Sequence, residues 1–347
     1  MTGTVFNETT GLLNKLFDKI ASSRADAIAL IHEDRHISFF ELQLYVEWMS
    51  GYFQSISLQP GQRVALLLPN SPKFPISFFG LMRAGGVAVP LDISSDEHEL
   101  RSRLMLSKAT ALITTPECKT LLDKALAESS GNGVALPRMI VAVFEEDNIV
   151  TLNKTARECR TSSANGKTAA LNQKTDDLTR NRQVNSCAHV EMTDAVTDYP
   201  AVIQFKEAQF CVRTHDDLMR EAEAMIAQTQ LTADDRLVCL APFCQTNYLS
   251  NCLIAAITAG ATMVLLEPSN WENISQVLGN EHVTMIAGPA ALLRHLTESK
   301  TAAISSLRWY FCTDSLSPKM SESLQQKTGF NVGLLPDTIN SGISYHL

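Results

Sequence analysis

Short apolar runs alternate with amphipathic stretches along almost the whole chain. Leu12, Leu13, Leu16, Phe17 and Ile20 recur at helical spacing and predict a helix with one apolar face. Residues 27–31 then read as a strand. Ser38-Phe39-Phe40-Glu41 is a capping box: a Ser side chain accepts from the backbone N–H three residues on, and the Glu reaches back. A helix should start there, with Tyr45, Trp48, Met49, Tyr52 and Phe53 facing inward. After the turn at Pro60-Gly61, residues 64–68 are apolar without a break, as expected of a strand buried on both faces. The pattern continues with helices over 78–82 and 97–108, a stop at Gly85-Gly86, and strands at 87–89, 111–113 and 139–144. Further strands are predicted at 201–205, 237–241, 262–266, 283–287 and 309–312, with helices in the gaps. Such alternation predicts an α/β fold of mainly parallel sheets flanked by helices.

One segment breaks the rhythm. Residues 151–198 are rich in Thr, Asn, Ser, Gln and Lys and carry no sustained apolar period. They read as a mobile linker or insertion between a first α/β subdomain over 1–150 and a second over 199–347.

A chain of 347 residues, 45% hydrophobic and 19% charged, is long enough for two such cores. Its 29 basic against 37 acidic residues give a net charge of −8, which argues against nucleic acid as a partner. No apolar run reaches the ~20 residues of a membrane span, and residues 1–14 lack a basic-then-apolar leader. A cytoplasmic location follows as an expectation. The eight cysteines form no C-x-x-C pair and read as small core residues.

His32-Glu33-Asp34-Arg35-His36 matches the H-E-x-x-H zinc pattern, which needs a helix to bring both imidazoles onto one face. Here the first His ends a predicted strand and the second precedes the capping box, so a solvated turn is the better reading. Cys239, Cys244 and Cys252 fit no common ligand spacing, and no metal site is expected.

Several stretches in order resemble the large N-terminal domain of the adenylate-forming superfamily, which includes acyl-CoA synthetases, fatty acyl-AMP ligases and peptide-synthetase adenylation domains. The most specific is PGQRVALLLPNSPKFPISFFGLMRAGGVAVPLD at 60–92; others are ISFFEL (37–42), LVCLAPF (237–243), AGATMVLL (259–266), VTMIAGP (283–289) and LRWYFCTDSLSP (307–318). The resemblance implies that domain's fold, two α/β subdomains, without the small C-terminal domain.

It also implies a nucleotide site, and there the chain departs from the pattern. Family members carry a phosphate loop rich in Gly, Ser and Thr after a strand like that at 201–205, because glycines let backbone amides approach phosphate. Here that strand is followed by Lys206-Glu207-Ala208-Gln209-Phe210-Cys211-Val212-Arg213 and then the family-like Thr214-His215. This loop is about five residues short, and no glycine occurs between Gly166 and Gly260. The Tyr-Gly-x-Thr-Glu motif, whose Glu assists Mg²⁺, aligns with residues 335–339, keeping Thr338 but placing Ile339 at the carboxylate. By the resemblance, the hinge and the adenylation Lys lie past Leu347. Lys206, Glu207, Arg213, Thr214 and Thr338 thus mark a degenerate nucleotide site, in which Lys206 and Arg213 are the residual phosphate candidates but read better as solvated charges beside a shortened turn. The resemblance places an acyl pocket near Phe243, Cys244, Gln245, Asn247, Gly288, Thr313, Asp314 and Ser315.

The expected function is that of a degenerate, catalytically inactive homologue. It would act as a binding, scaffold or regulatory subunit for an acyl-type small molecule or a protein partner, such as a carrier protein or a full-length synthetase. No cofactor is expected on that reading. The alternative is an active AMP-forming acyl ligase, using ATP and Mg²⁺, with an altered nucleotide site or one completed by another subunit.

Overall fold

Ser38 caps a helix as its sequence predicts. Its Oγ accepts from the Glu41 N–H at 3.2 Å, and the Glu41 carboxylate accepts from the Ser38 N–H at 2.7 Å. The computed structural model describes residues 13–127, 139–145, 148–152, 168–170, 199–206, 209–266, 271–298, 305–313, 318–335 and 343–346.

The first part of the chain forms α1 (Leu13–Ser23), β1 (Ile28–His32), β2 (Arg35–Ser38), α2 (Phe39–Ser55), β3 (Arg63–Leu67), α3 (Lys73–Arg83) and β4 (Val87–Pro90). Then come α4 (Glu97–Ser107), β5 (Ala111–Thr114), α5 (Pro116–Ala127), β6 (Ile140–Glu145), β7 (Asn148–Leu152) and β8 (Thr168–Ala170). The second part begins with β9 (Pro200–Lys206), β10 (Gln209–Thr214), α6 (His215–Thr229) and β11 (Arg236–Cys239). A short α7 (Thr246–Tyr248), a π-helical turn (Leu249–Ile254) and α8 (Ala255–Ala259) follow as one continuous stretch. Last are β12 (Thr262–Leu265), α9 (Trp271–Asn280), β13 (Met285–Gly288), α10 (Ala290–Glu298), β14 (Trp309–Cys312), α11 (Pro318–Thr328), β15 (Asn331–Leu334) and β16 (Ile343–His346).

The strands make two sheets. A seven-stranded sheet runs β15-β14-β13-β11-β12-β1-β2 and is parallel except for the β1–β2 hairpin. A nine-stranded sheet runs β16-β10-β9-β4-β3-β5-β6-β7-β8. Its centre, from β9 to β6, is parallel, and both flanks are antiparallel.

Sheet membership crosses the division expected at 151–198. Strands β1 and β2 join the strands of the second half, while β9, β10 and β16 join those of the first. The polar segment is also not wholly outside the fold, since β8 lies within it and pairs with β7. The rest of it, 153–167 and 171–198, lies outside the described residues.

The apolar faces explain the layering. Side chains of α1, α2, α3, α6, the π-helical turn and α8 form one inner core with both sheets, including Phe17, Phe39, Phe53, Phe78, Met225 and Leu253. Outside the seven-stranded sheet, α9 and α10 supply Ile274, Leu278, Leu292, Leu293 and Leu296. Outside the nine-stranded sheet, α4 and α5 supply Leu100, Leu104, Leu122 and Ala125. Strands such as β3 and β5 are therefore covered on both faces, as their unbroken apolar sequence requires. Gly85 ends α3 with φ 75°, a conformation that costs glycine little.

The H-E-x-x-H residues fall on the β1–β2 hairpin, where His32 pairs with Arg35 and Ile31 with His36. Neighbouring strand positions face opposite ways, so the two imidazoles sit on opposite faces of the sheet. Among the described residues, no helix is long and apolar enough to cross a membrane.

Candidate functional site

The candidate pocket residues gather at the C-terminal ends of the parallel strands of the seven-stranded sheet, the edge where open α/β sheets usually bind ligands. The Leu240 N–H donates to Ala287 O at 2.8 Å and the Thr313 N–H to Gly288 O at 2.9 Å. These contacts align the ends of β11, β13 and β14. Asp314 and Ser315, the next two residues proposed for this pocket, lie outside the described residues.

Gly288 is tightly packed. A Cβ there would come within 2.9 Å of Tyr310 Oη and 3.3 Å of Leu240 Cδ1. The Tyr310 hydroxyl is held in place by donating to Pro289 O at 2.8 Å. The space beside Gly288 is thus occupied by a phenol of the chain itself.

The loop after β11 carries Phe243, Cys244, Gln245 and Asn247, and two buried amides of the other sheet grip its backbone. Asn70, in the turn between β3 and α3, donates through Nδ2 to Ala241 O at 2.8 Å and Cys239 O at 3.3 Å. Its Oδ1 accepts from the Phe243 N–H at 3.2 Å. Gln204 of β9 donates to Gln245 O at 3.3 Å. Phe243 itself is buried and its ring lies 5.2 Å from that of Phe74. Cys244 is buried, and desolvation, with the Asp92 carboxylate nearby, pushes its thiol pKa upward. That is the environment of an inert thiol. Gln245 is exposed and Asn247 half-buried, so the loop runs from the core outward. The roles of Asn70 and Gln204 were not read from the sequence, although Asn70 lies inside its most specific stretch.

The residues expected at a nucleotide site are placed differently. Strands β9 and β10 form an antiparallel hairpin whose ladder reaches Lys206 opposite Gln209. Only two residues join the strands, and Glu207 and Ala208 lie outside the described residues, as does Thr338. Register also assigns the faces. Ile203, Phe205, Phe210 and Val212 pack toward α4 and α5, so Gln204, Cys211 and Arg213 face the inner core.

Arg213 is neither solvated nor at the hairpin tip. Its side chain has 0% exposure and pairs with Glu221 of α6, which also accepts from Ser250 Oγ at 2.6 Å. Thr214 is the N-cap of α6: its Oγ1 accepts from the Asp217 N–H at 3.1 Å, and Asp217 accepts from the Thr214 N–H at 3.0 Å. His215 is buried, and its Nδ1 accepts from the Leu13 N–H at 3.4 Å. Burial pulls its pKa down to about 4, so it is neutral at pH 7.

Comparison with known proteins bears on the family and the fold. The sequence profile of the AMP-binding enzyme family matches residues 17–205 and 209–334. The match breaks at 206–208, from the last residue of β9 up to the start of β10. A long-chain-fatty-acid–CoA ligase of Haemophilus influenzae is 32% identical over 125 residues, covering 36% of this chain and 22% of that protein. A crotonobetaine/carnitine–CoA ligase of Salmonella paratyphi B is 27% identical over 262 residues, covering 74% of this chain and 46% of that protein. In both cases the match spans less than half of the relative's length. Among solved structures, a benzoate CoA ligase from Burkholderia xenovorans superposes with a TM-score of 0.72 at 19% identity, over 93% of this chain and 60% of that one. That likeness establishes the shared fold of two helix-flanked sheets. With the profile matching most of its length, the chain belongs to the AMP-binding enzyme family of adenylate-forming proteins.

Proposed function

We propose that this chain is a non-catalytic member of its family. On this reading it keeps the two-sheet scaffold to bind an acyl-type ligand, or a protein partner such as a carrier protein or a full-length synthetase, in the cytoplasm. One observation carries the reading: β9 and β10 are joined by two residues, with Lys206 opposite Gln209. A cradle for a triphosphate needs a run of backbone amides free to turn toward the phosphates, and glycine is what permits that turn. A ladder closed to within two residues leaves no such run. Arg213 supports the same view, because its charge is spent on Glu221 inside the protein.

The acyl-type ligand follows from the relatives, which are named as ligases joining fatty or other organic acids to coenzyme A. A second reading has one observation in its favour. The family profile resumes at residue 209 and continues to 334, so the sequence beyond the hairpin is still family-like. This favours an acyl ligase with an altered nucleotide site, or one completed by another subunit, and only this reading calls for ATP and Mg²⁺. Calorimetry of the full chain with ATP–Mg²⁺ separates the two. A non-catalytic scaffold gives no saturable heat, and micromolar binding would establish the altered-site ligase instead.

A further inference from the structure

The inner face of the β9–β10 hairpin holds buried polar atoms that no described residue matches. Gln204 has 0% exposure, and its Oε1 accepts no hydrogen bond from any described residue, although its Nε2 is engaged with Gln245 O. Arg213, equally buried, donates through Nη2 to Glu221, while its Nε and Nη1 find no acceptor among the described residues. Leaving such groups unpaired costs about 1–3 kcal/mol each, so each calls for a partner.

Register brings the acceptor and the donors together. Gln204 pairs with Cys211 and Val202 with Arg213, so Gln204 and Arg213 are diagonal neighbours on one face of the hairpin. Diagonal side chains of this kind lie about 7–8 Å apart at the backbone, within reach of one small group set between two long side chains. Such a group must accept from Arg213 and donate to Gln204. It should also be neutral. Glu221 already balances the guanidinium, and its second oxygen is taken by Ser250, so a further anion would bring excess negative charge into the core. A hydroxyl or an amide N–H/C=O meets all three conditions.

We propose that Gln204 and Arg213 form a recognition site for a neutral hydroxyl or amide group carried by an acyl-type ligand. The site therefore selects functionalised acyl chains over plain alkyl ones. This rests on the reading that the scaffold binds an acyl-type ligand. The two neighbouring amides would then divide the work: Asn70 holds the loop after β11, and Gln204 both steadies that loop and reads the ligand.

The test is calorimetry of the full chain with decanoic, 3-hydroxydecanoic and 10-hydroxydecanoic acids, repeated on Gln204→Leu. One hydroxy acid should bind the natural chain about 5- to 10-fold tighter than decanoic acid, the worth of one buried hydrogen bond. Gln204→Leu should erase that preference, read as the ratio of the affinities within each protein, so that a loss shared by all three acids through the loop cancels. Should Gln204→Leu fail to melt cooperatively, Gln204→Met carries the same comparison. Equal affinity for all three acids, or a preference that survives the substitution, overturns the inference while leaving an acyl site in place. Absence of binding by every acid overturns the acyl-ligand reading itself, and the inference with it.

Discussion

Arg213 and Glu221 meet across the turn that joins β10 to α6, forming an ion pair buried in the inner core. Two charges withdrawn from water in this way gain little as a pair, but either one alone is costly. Glu221→Ala should therefore destabilise the protein by about 3–5 kcal/mol in urea unfolding, whereas the double change Arg213→Leu with Glu221→Leu should come close to the natural chain. If the single change cost no more than the double, Arg213 would not be held by Glu221.

Asn70 ties the two sheets together through three hydrogen bonds, one to the last residue of β11 and two to the loop after it. Asn70→Leu keeps the volume and removes all of them, leaving buried backbone groups unpaired. A loss of about 2–4 kcal/mol is expected, read as a lower urea midpoint with an unchanged slope. A loss under about 0.5 kcal/mol would mean the loop holds its shape without Asn70.

Gly288 and Tyr310 are coupled by their close approach. Gly288→Ala puts a methyl group against the phenol oxygen and should cost about 1–3 kcal/mol. Tyr310→Phe removes that oxygen and its hydrogen bond to Pro289 O. The double variant should be more stable than the sum of the two losses implies. Strict additivity would show that the methyl group finds room elsewhere.

His215 gives the protein an acid-sensitive component. Its folded pKa is about 4 against 6.5 in an open chain, so between these values the unfolded state binds a proton that the folded state refuses. The contribution is whole above pH 6.5 and declines as pH falls toward 4, by up to about 3 kcal/mol. Unfolding midpoints at pH 7 and 4.5 should therefore differ less in His215→Asn than in the natural chain. An equal difference would assign the acid sensitivity to other groups.

The parallel strands were legible because burial on both faces leaves an unbroken apolar run, as in β3, β4 and β5. The capping box at Ser38 was legible because the contact is local. Strand β10 was not, because its sequence was read against a family loop, although Phe210 and Val212 alternate with Cys211 and Arg213 as a half-buried strand should. Sheet membership was out of reach, since nothing local tells β1 to pair with β12, more than 200 residues further along. At the site, the pocket residues were placed by resemblance, while Arg213 was misjudged. Its partner Glu221 lies eight positions on, on a different element, and no periodicity links the two.

Transfer of AMP from ATP to the carboxylate of an organic acid, with pyrophosphate leaving, is the step that separates a scaffold from an enzyme. It needs in-line attack on the α-phosphate with pyrophosphate held and its charge neutralised, and a single lost donor of this kind costs about 10²–10³ in rate. The most direct measurement is acid-dependent pyrophosphate exchange by the full chain over a panel of fatty, aryl and amino acids. On the proposed non-catalytic reading, a chain whose β9–β10 ladder closes at Lys206 and Gln209 should give no exchange above background with any acid. Exchange that depends on one of these acids, and is lost when Lys206 is replaced by Ala, would contradict the non-catalytic assignment.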